Sequence, residues 1–146
     1  MKYDKYELTA EHSLMYFSFV SEGPKGRIEK LIEYTETGVE NVYNLGFGDK
    51  DPNGKMDDAT ITNNGDSLKV LATVASTVYT FTNRYPNASI YAIGSSKART
   101  RLYRMGIANN LNDILQNFDV YGFIEDAWCR FDKNVDYNAF LIKRKK

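Results

Sequence analysis

The sequence predicts an α+β fold, and three observations carry that expectation. Period-two apolar patterns bounded by turn residues fill the first ~48 positions, which is the signature of strands. After Asp66, Leu68, Leu71, Val74, Ala75, Val78 and Tyr79 recur at three- and four-residue spacing, the signature of an amphipathic helix. The order of strands, helix, strand, helices and strands then lacks the regular βα alternation of a parallel α/β protein. At 146 residues the chain suits a single domain spanning 1–146, since domains commonly run about 100–150 residues.

Taken in order, Tyr3 to Leu8 reads as a first strand and Leu14 to Ser21 (LMYFSFVS) as a second, near-continuous apolar one. Gly23-Pro24-Lys25-Gly26 turns the chain into Arg27 to Thr35, where Ile28, Ile32 and Tyr34 share one face and Glu29 and Glu33 the other. Val42 to Phe47 alternates again, completing an antiparallel meander of three to four strands. Gly48 to Gly65 is rich in Asp, Asn, Gly and Lys and reads as a long exposed loop with a short strand at Ala59 to Thr62.

Asp66 or Ser67 suits the N-cap of the first helix, which should end before Pro86 with Arg84 in its last turn. Ser89 to Ile93 is short and apolar, hence a buried strand. The next helical region follows Gly94-Ser95-Ser96 and should break once. With Lys97 at zero, Ala98, Leu102 and Met105 lie near about 80–140° on the wheel, whereas Leu111, Ile114, Leu115 and Phe118 lie near about 260–360°. One straight helix cannot bury both stripes. Gly106 and Asn109-Asn110 offer the stop and new cap, giving helices over 96–106 and 109–118. Val120 to Ile124 and Asn138 to Lys143 are the closing strands, with Trp128 and Phe131 packing between them.

Charge is balanced overall, 19 basic against 19 acidic residues, which argues against a polyanion-coating protein. Its placement is uneven. Met1 to Asp66 holds 13 acids and 7 bases, Ser67 to Asn112 holds six bases and no acid, and Asp113 to Lys146 holds six of each. Lys143 to Lys146 form a basic end that reads as solvated or as a supplement to phosphate contacts. The basic centre either answers acids of the sheet or forms an anion-binding face. A single cysteine, Cys129, and a single histidine, His12, exclude disulfide scaffolds and ordinary zinc folds. No membrane-length apolar stretch and no secretory h-region are visible, so the expected location is cytoplasmic.

Ile90 to Arg104 (IYAIGSSKARTRLYR) is the most informative segment. A strand passes through a small-residue turn into a helix N-terminus, where free N–H groups and the helix dipole favour an anion. Gly94 would permit close approach, Ser95 and Ser96 would add donors, and Lys97, Arg101 and Arg104 fall within about 60° of one another on the wheel. Arg99 and Tyr103 point the other way and are expected to pack within the fold. The turn lacks the full P-loop pattern.

Together with Tyr43-Asn44-Leu45-Gly46-Phe47-Gly48-Asp49 and Val70-Leu71-Ala72-Thr73-Val74, the stretch Gly94 to Arg104 resembles a family of small uncharacterised bacterial proteins with no established activity. The resemblance covers roughly Tyr16 to Ile107 and implies no catalytic residues.

A weaker pattern, Asp49, Asp51, Asn53 and Asp57 with Gly54 at the sixth position, matches the opening of a calcium loop, but Thr60 stands where a bidentate Glu belongs. A solvated turn explains the same residues. His12 and Cys129 sit in no nucleophile motif, and no cofactor is implied. The leading expectation is a binding domain that seats a phosphate-bearing ligand, nucleotide or nucleic acid, on the basic helix. A protein-interaction or toxin-antitoxin-type regulatory module ranks second, and an enzyme acting on nucleic acid or a nucleotide third.

Overall fold

The computed structural model describes residues 4–57 and 62–146. Strands β1 (Thr9–Ala10), β2 (Tyr16–Gly23), β3 (Gly26–Glu36) and β4 (Val42–Lys50) form an antiparallel meander, with β5 (Met56–Asp57) pairing back onto the end of β4. Helix α1 (Ser67–Arg84) leads to β6 (Ser89–Ala92), and α2 (Lys97–Asn109) and α3 (Leu111–Asn117) lead to β7 (Phe118–Ile124), β8 (Ala127–Arg130) and β9 (Ala139–Arg144). The architecture is α+β, as the sequence predicts.

The described strands join one sheet in the order β1-β2-β3-β4-β6-β9-β7-β8, with β5 off this path against β4. β4 and β6 are parallel, because α1 carries the chain back across the sheet between them. β9 then inserts between β6 and β7.

Alternation places Phe17 and Phe19, Ile32 and Tyr34, Leu45 and Phe47, Ile90, Phe118 and Val120, and Phe140 and Ile142 in one core with Leu71, Val74 and Phe81 of α1 and Tyr103 and Ile107 of α2. Tyr34 stacks on Phe81 with centroids 4.1 Å apart, and its hydroxyl, 2.7 Å from Thr77 Oγ1, stays hydrogen-bonded inside that core. Desolvation pushes the Tyr34 phenol well above its ordinary pKa. The opposite sheet face carries the alternate residues, among them Asn44, Tyr91, Tyr121, Phe123 and Leu141, and none of the described helices packs on it.

Several boundaries differ from expectation. Tyr3 lies outside the described residues, and residues 4–8 form no strand: Tyr6 N–H donates to Thr73 Oγ1 of α1 at 2.8 Å while its ring stacks on Phe19. A tertiary contact thus takes the donor that a ladder would use. The Gly48–Gly65 segment is a loop only in part, since β4 runs to Lys50 and pairs with β5. Of the strand expected at Ala59 to Thr62, only Thr62 is described, and it is not in a strand.

α2 does not stop at Gly106. A side chain there would begin 3.3 Å from Leu71 Cδ2, so the glycine lets α2 lie close to α1, and the single break falls at Asn110, within the Asn109-Asn110 pair expected to cap the next helix. Trp128 is not packed between strands: it lies on β8 and is 43% exposed. Phe131 does pack inward, against Tyr137 and Phe140. Nor is the basic end wholly solvated. Arg144 belongs to β9, donates to Thr82 Oγ1, Tyr79 O and Asn83 Oδ1 near the end of α1, and lies over the Phe118 ring. A cation there also favours the helix C-terminus.

Candidate functional site: a cationic cleft at the start of the second helix

β6 ends at Ala92, and Ile93-Gly94-Ser95-Ser96 carries the chain into α2. Ser96 caps the helix from an extended backbone, its Oγ accepting from Arg99 N–H at 3.2 Å. The first intrahelical bond runs from Thr100 N–H to Ser96 O at 3.0 Å, so the N–H groups of Lys97 and Ala98 precede the ladder and point out of the helix end.

Gly94 is held by the helix itself. A Cβ there would stand 2.3 Å from Thr100 N and 2.5 Å from Arg99 Cβ, and its N–H donates to Thr100 Oγ1 at 3.1 Å. The close approach that the sequence suggested for a ligand is therefore made by the first turn of α2.

A cleft of about 580 Å³ opens beside this turn, lined by Gly94, Ser96, Lys97, Arg101 and Arg104 together with Ile93, Thr100, Asp136, Tyr137 and Asn138. Five of the six sequence-derived residues thus share one cavity. Ser95 does not join them: it lines a separate cleft of about 240 Å³ with Asn44, Gly46, Ile93 and Arg99.

The three cations differ in state. Lys97 and Arg101 are exposed and make no ion pair among the described residues. Arg104 is engaged: Nε lies 3.1 Å from Asp136 Oδ1, and Nη1 donates to Lys133 O at 3.1 Å. The Nε contact is an ion pair without hydrogen-bond alignment. Asp136 is largely exposed, so this pair contributes little stability and leaves Arg104 at the cleft wall.

Tyr137 supplies a neutral side. Burial pushes its phenol upward, and its hydroxyl accepts from Asp132 N–H and donates to Arg130 O. The cleft therefore presents, among the described residues, two open cations, one braced cation, a carboxylate and a hydroxyl-rich helix start, a set whose charge and donors can hold an anion.

Arg99 and Tyr103 point away from this cleft, as the helix wheel predicts. Arg99 is buried, and its Nη2 donates to Phe47 O at 2.7 Å and to Asp57 O at 3.3 Å. Tyr103 OH donates to Leu45 O at 3.3 Å. The Gly-Ser-Ser-Lys-Ala-Arg motif is thereby pinned to the Leu-Gly-Phe-Gly-Asp motif, and the cleft stands on a rigid seam between β4 and α2.

Of the calcium-loop residues, Asp49 and Asp57 are register partners on β4 and β5, but the carboxylates are engaged separately. Asp49 is paired with Lys30 and accepts from Thr62 N–H, Asp51 Oδ1 accepts from the N–H groups of Asn53 and Lys55, and Asp57 belongs to β5. Thr60 lies outside the described residues. Among the described residues no group of three or more His, Cys, Asp or Glu is placed to hold a metal ion.

Sequence reasoning missed Asp136, Tyr137 and Asn138. They follow Arg104 by more than 30 positions and reach the cleft only because β9 lies beside β6. No local signal announces such a juxtaposition.

No helix among the described residues is long and apolar enough to cross a membrane. Neither the curated proteins nor the solved structures contain a match to this chain. A family model does match, over residues 2–145, and the chain accordingly belongs to the family of unknown function DUF6934.

Proposed function

We propose that this protein is a binding domain of the bacterial cytoplasm that seats a phosphate-bearing ligand in the cleft at the start of α2. The observation that carries the reading is the convergence of Lys97, Arg101 and the Ser96 cap on one cavity of about 580 Å³, with neither cation paired among the described residues. Unpaired like charges on neighbouring turns repel, and a bound polyanion relieves that repulsion. Arg101 supplies a planar fork that matches two phosphate oxygens, Lys97 a mobile point charge, and the leading N–H groups of α2 a short-range field of the same sign. An exposed thiol, Cys129, accords with a reducing compartment.

The test is pyrophosphate binding by calorimetry to wild type and to a Lys97→Glu/Arg101→Glu variant. Both side chains are exposed, so the variant is expected to fold as wild type does. The expected result is saturable binding that weakens with salt and falls at least tenfold in the variant. Equal affinity in a folded variant removes the cleft from the function.

A further inference from the structure

We infer that the ligand of this cleft is a single-stranded nucleic acid whose bases stack on the open sheet face around Trp128. The inference rests on the phosphate-binding reading and adds the class of molecule. Trp128 and Phe123 are register partners on β8 and β7, so they share a face, and their rings lie 5.1 Å apart. The indole also reaches Tyr91 of β6, 6.1 Å away, edge to face.

To reach it, the indole spans β9 where the side chain is only Ala139, the partner of Phe123. Three aromatic rings from three strands thus gather on the face that none of the described helices covers. Trp128 is 43% exposed, and Ile93, two residues beyond Tyr91, is 44% exposed. Large apolar side chains clustered this openly point to a partner.

The chemistry of that partner follows from what adjoins the rings. Ile93 lines the cationic cleft and, at about 6.6 Å along an extended chain from Tyr91, bridges it to the aromatic cluster. On the same face, Tyr121 lies under the Arg130 guanidinium at 5.6 Å, and Lys143 occupies the neighbouring register of β9. The one acid in that row, Asp119, is bridged by Arg130 at 3.3 Å.

Aromatic faces alternating with cations suit a chain of alternating bases and phosphates. Glu125 and Asp126 stand at the β7–β8 turn, beyond Trp128, so the strand runs inward from the cleft over Tyr91 and Tyr121 and away from that turn. A duplex has no free base face to offer an indole, so single strands are selected.

Trp128 is the sole tryptophan and reports directly on its own contacts. The full chain would be titrated with short oligouridine and oligothymidine, with the corresponding duplex, and with pyrophosphate. Intrinsic fluorescence would be followed for wild type, and anisotropy of labelled strands for wild type, Trp128→Ala and Trp128→Phe. The expected result is saturable quenching by single strands. Trp128→Ala should weaken single-strand binding about tenfold, Trp128→Phe should retain most of it, and both should bind pyrophosphate as wild type does.

Equal single-strand affinity in wild type and Trp128→Ala, or a duplex bound as tightly as a single strand, overturns the stacking inference. The phosphate reading then survives if Lys97→Glu/Arg101→Glu still loses pyrophosphate. Failure of folded wild type to bind pyrophosphate or strands overturns both. Ribose and deoxyribose strands distinguish RNA from DNA as the source of the same chemistry.

Discussion

Arg99 crosses the sheet edge directly over Gly48: its Nη2 donates to Phe47 O at 2.7 Å, and a Cβ on Gly48 would stand 2.4 Å from that nitrogen. The guanidinium and the missing side chain fill the same space, so the two residues specify each other. This couples the end of β4 to the start of α2, whose first two turns carry Lys97 and Arg101 at the cleft.

Gly48→Ala is therefore expected to destabilise the fold, because Asp57 O, at 2.7 Å from the added carbon, is backbone and cannot swing aside. Overpacking of this kind costs about 1–3 kcal/mol. Urea denaturation of the variant measures it, and a midpoint equal to wild type contradicts the coupling.

Lys30 is 1% exposed, with its ammonium held by Asp49 and by Thr62 O at 3.0 Å. Lys30→Met should leave the Asp49 carboxylate without its cation and destabilise by about 3–5 kcal/mol, whereas adding Asp49→Leu should recover much of the loss. Chemical denaturation of the single and double variants gives both values.

Acid should weaken the protein partly through Asp49. Burial acts to raise its pKa, but hydrogen bonds from Lys30 and Thr62 outweigh burial and hold the carboxyl below its ordinary value. A carboxyl depressed in the folded state stabilises fully above its unfolded pKa of about 3.9, and that contribution is lost as pH falls through the lower folded value. Asp49→Asn should flatten this part of the profile in urea midpoints taken on either side of about pH 4. Tyr34 and Tyr79 behave oppositely at high pH. Burial raises both phenols, so their contribution is complete below about pH 10 and is lost as pH rises through the folded values.

Asp136→Asn should release Arg104 from its ion pair and remove the one carboxylate that lines the cleft among the described residues. Pyrophosphate affinity is expected to rise by about two- to fivefold, since an exposed charge acts through screened Coulomb forces. Stability should shift by less than about 0.5 kcal/mol. Unchanged affinity at low salt argues that Asp136 does not face the bound anion.

Much of this was legible in the sequence wherever the information was local. Alternation in β2, β3 and β4 and the spacing of α1 come from neighbours a few residues apart, and the elements stand close to where the pattern puts them. The helix wheel separated Lys97, Arg101 and Arg104 from Arg99 and Tyr103, and the two sets do face a cleft and a seam respectively. Residues whose meaning depends on distant partners were not readable. Gly106 looks like a helix stop because the only local meaning of such a glycine is a break, yet Leu71 is what requires it. Lys30 falls on an apolar face, and its place there makes sense only once Asp49 is across from it. Trp128 reads as core by composition, and pairing with Phe123 turns it outward.

The insertion of β9 between β6 and β7 has a consequence for how the molecule is assembled. β9 follows both of its neighbours in the chain, so the β7–β8 hairpin has no ladder to the rest of the sheet until residues 139–144 slot in. During synthesis the meander, α1 and β6 emerge first and can organise around one another, while the hairpin waits as a loose flap. Closing that gap is a late, non-local step of the slow kind, and it is the same step that brings Asp136 and Tyr137 against α2 and Tyr91 against Trp128. The cleft and the aromatic cluster are therefore complete only once the sheet is.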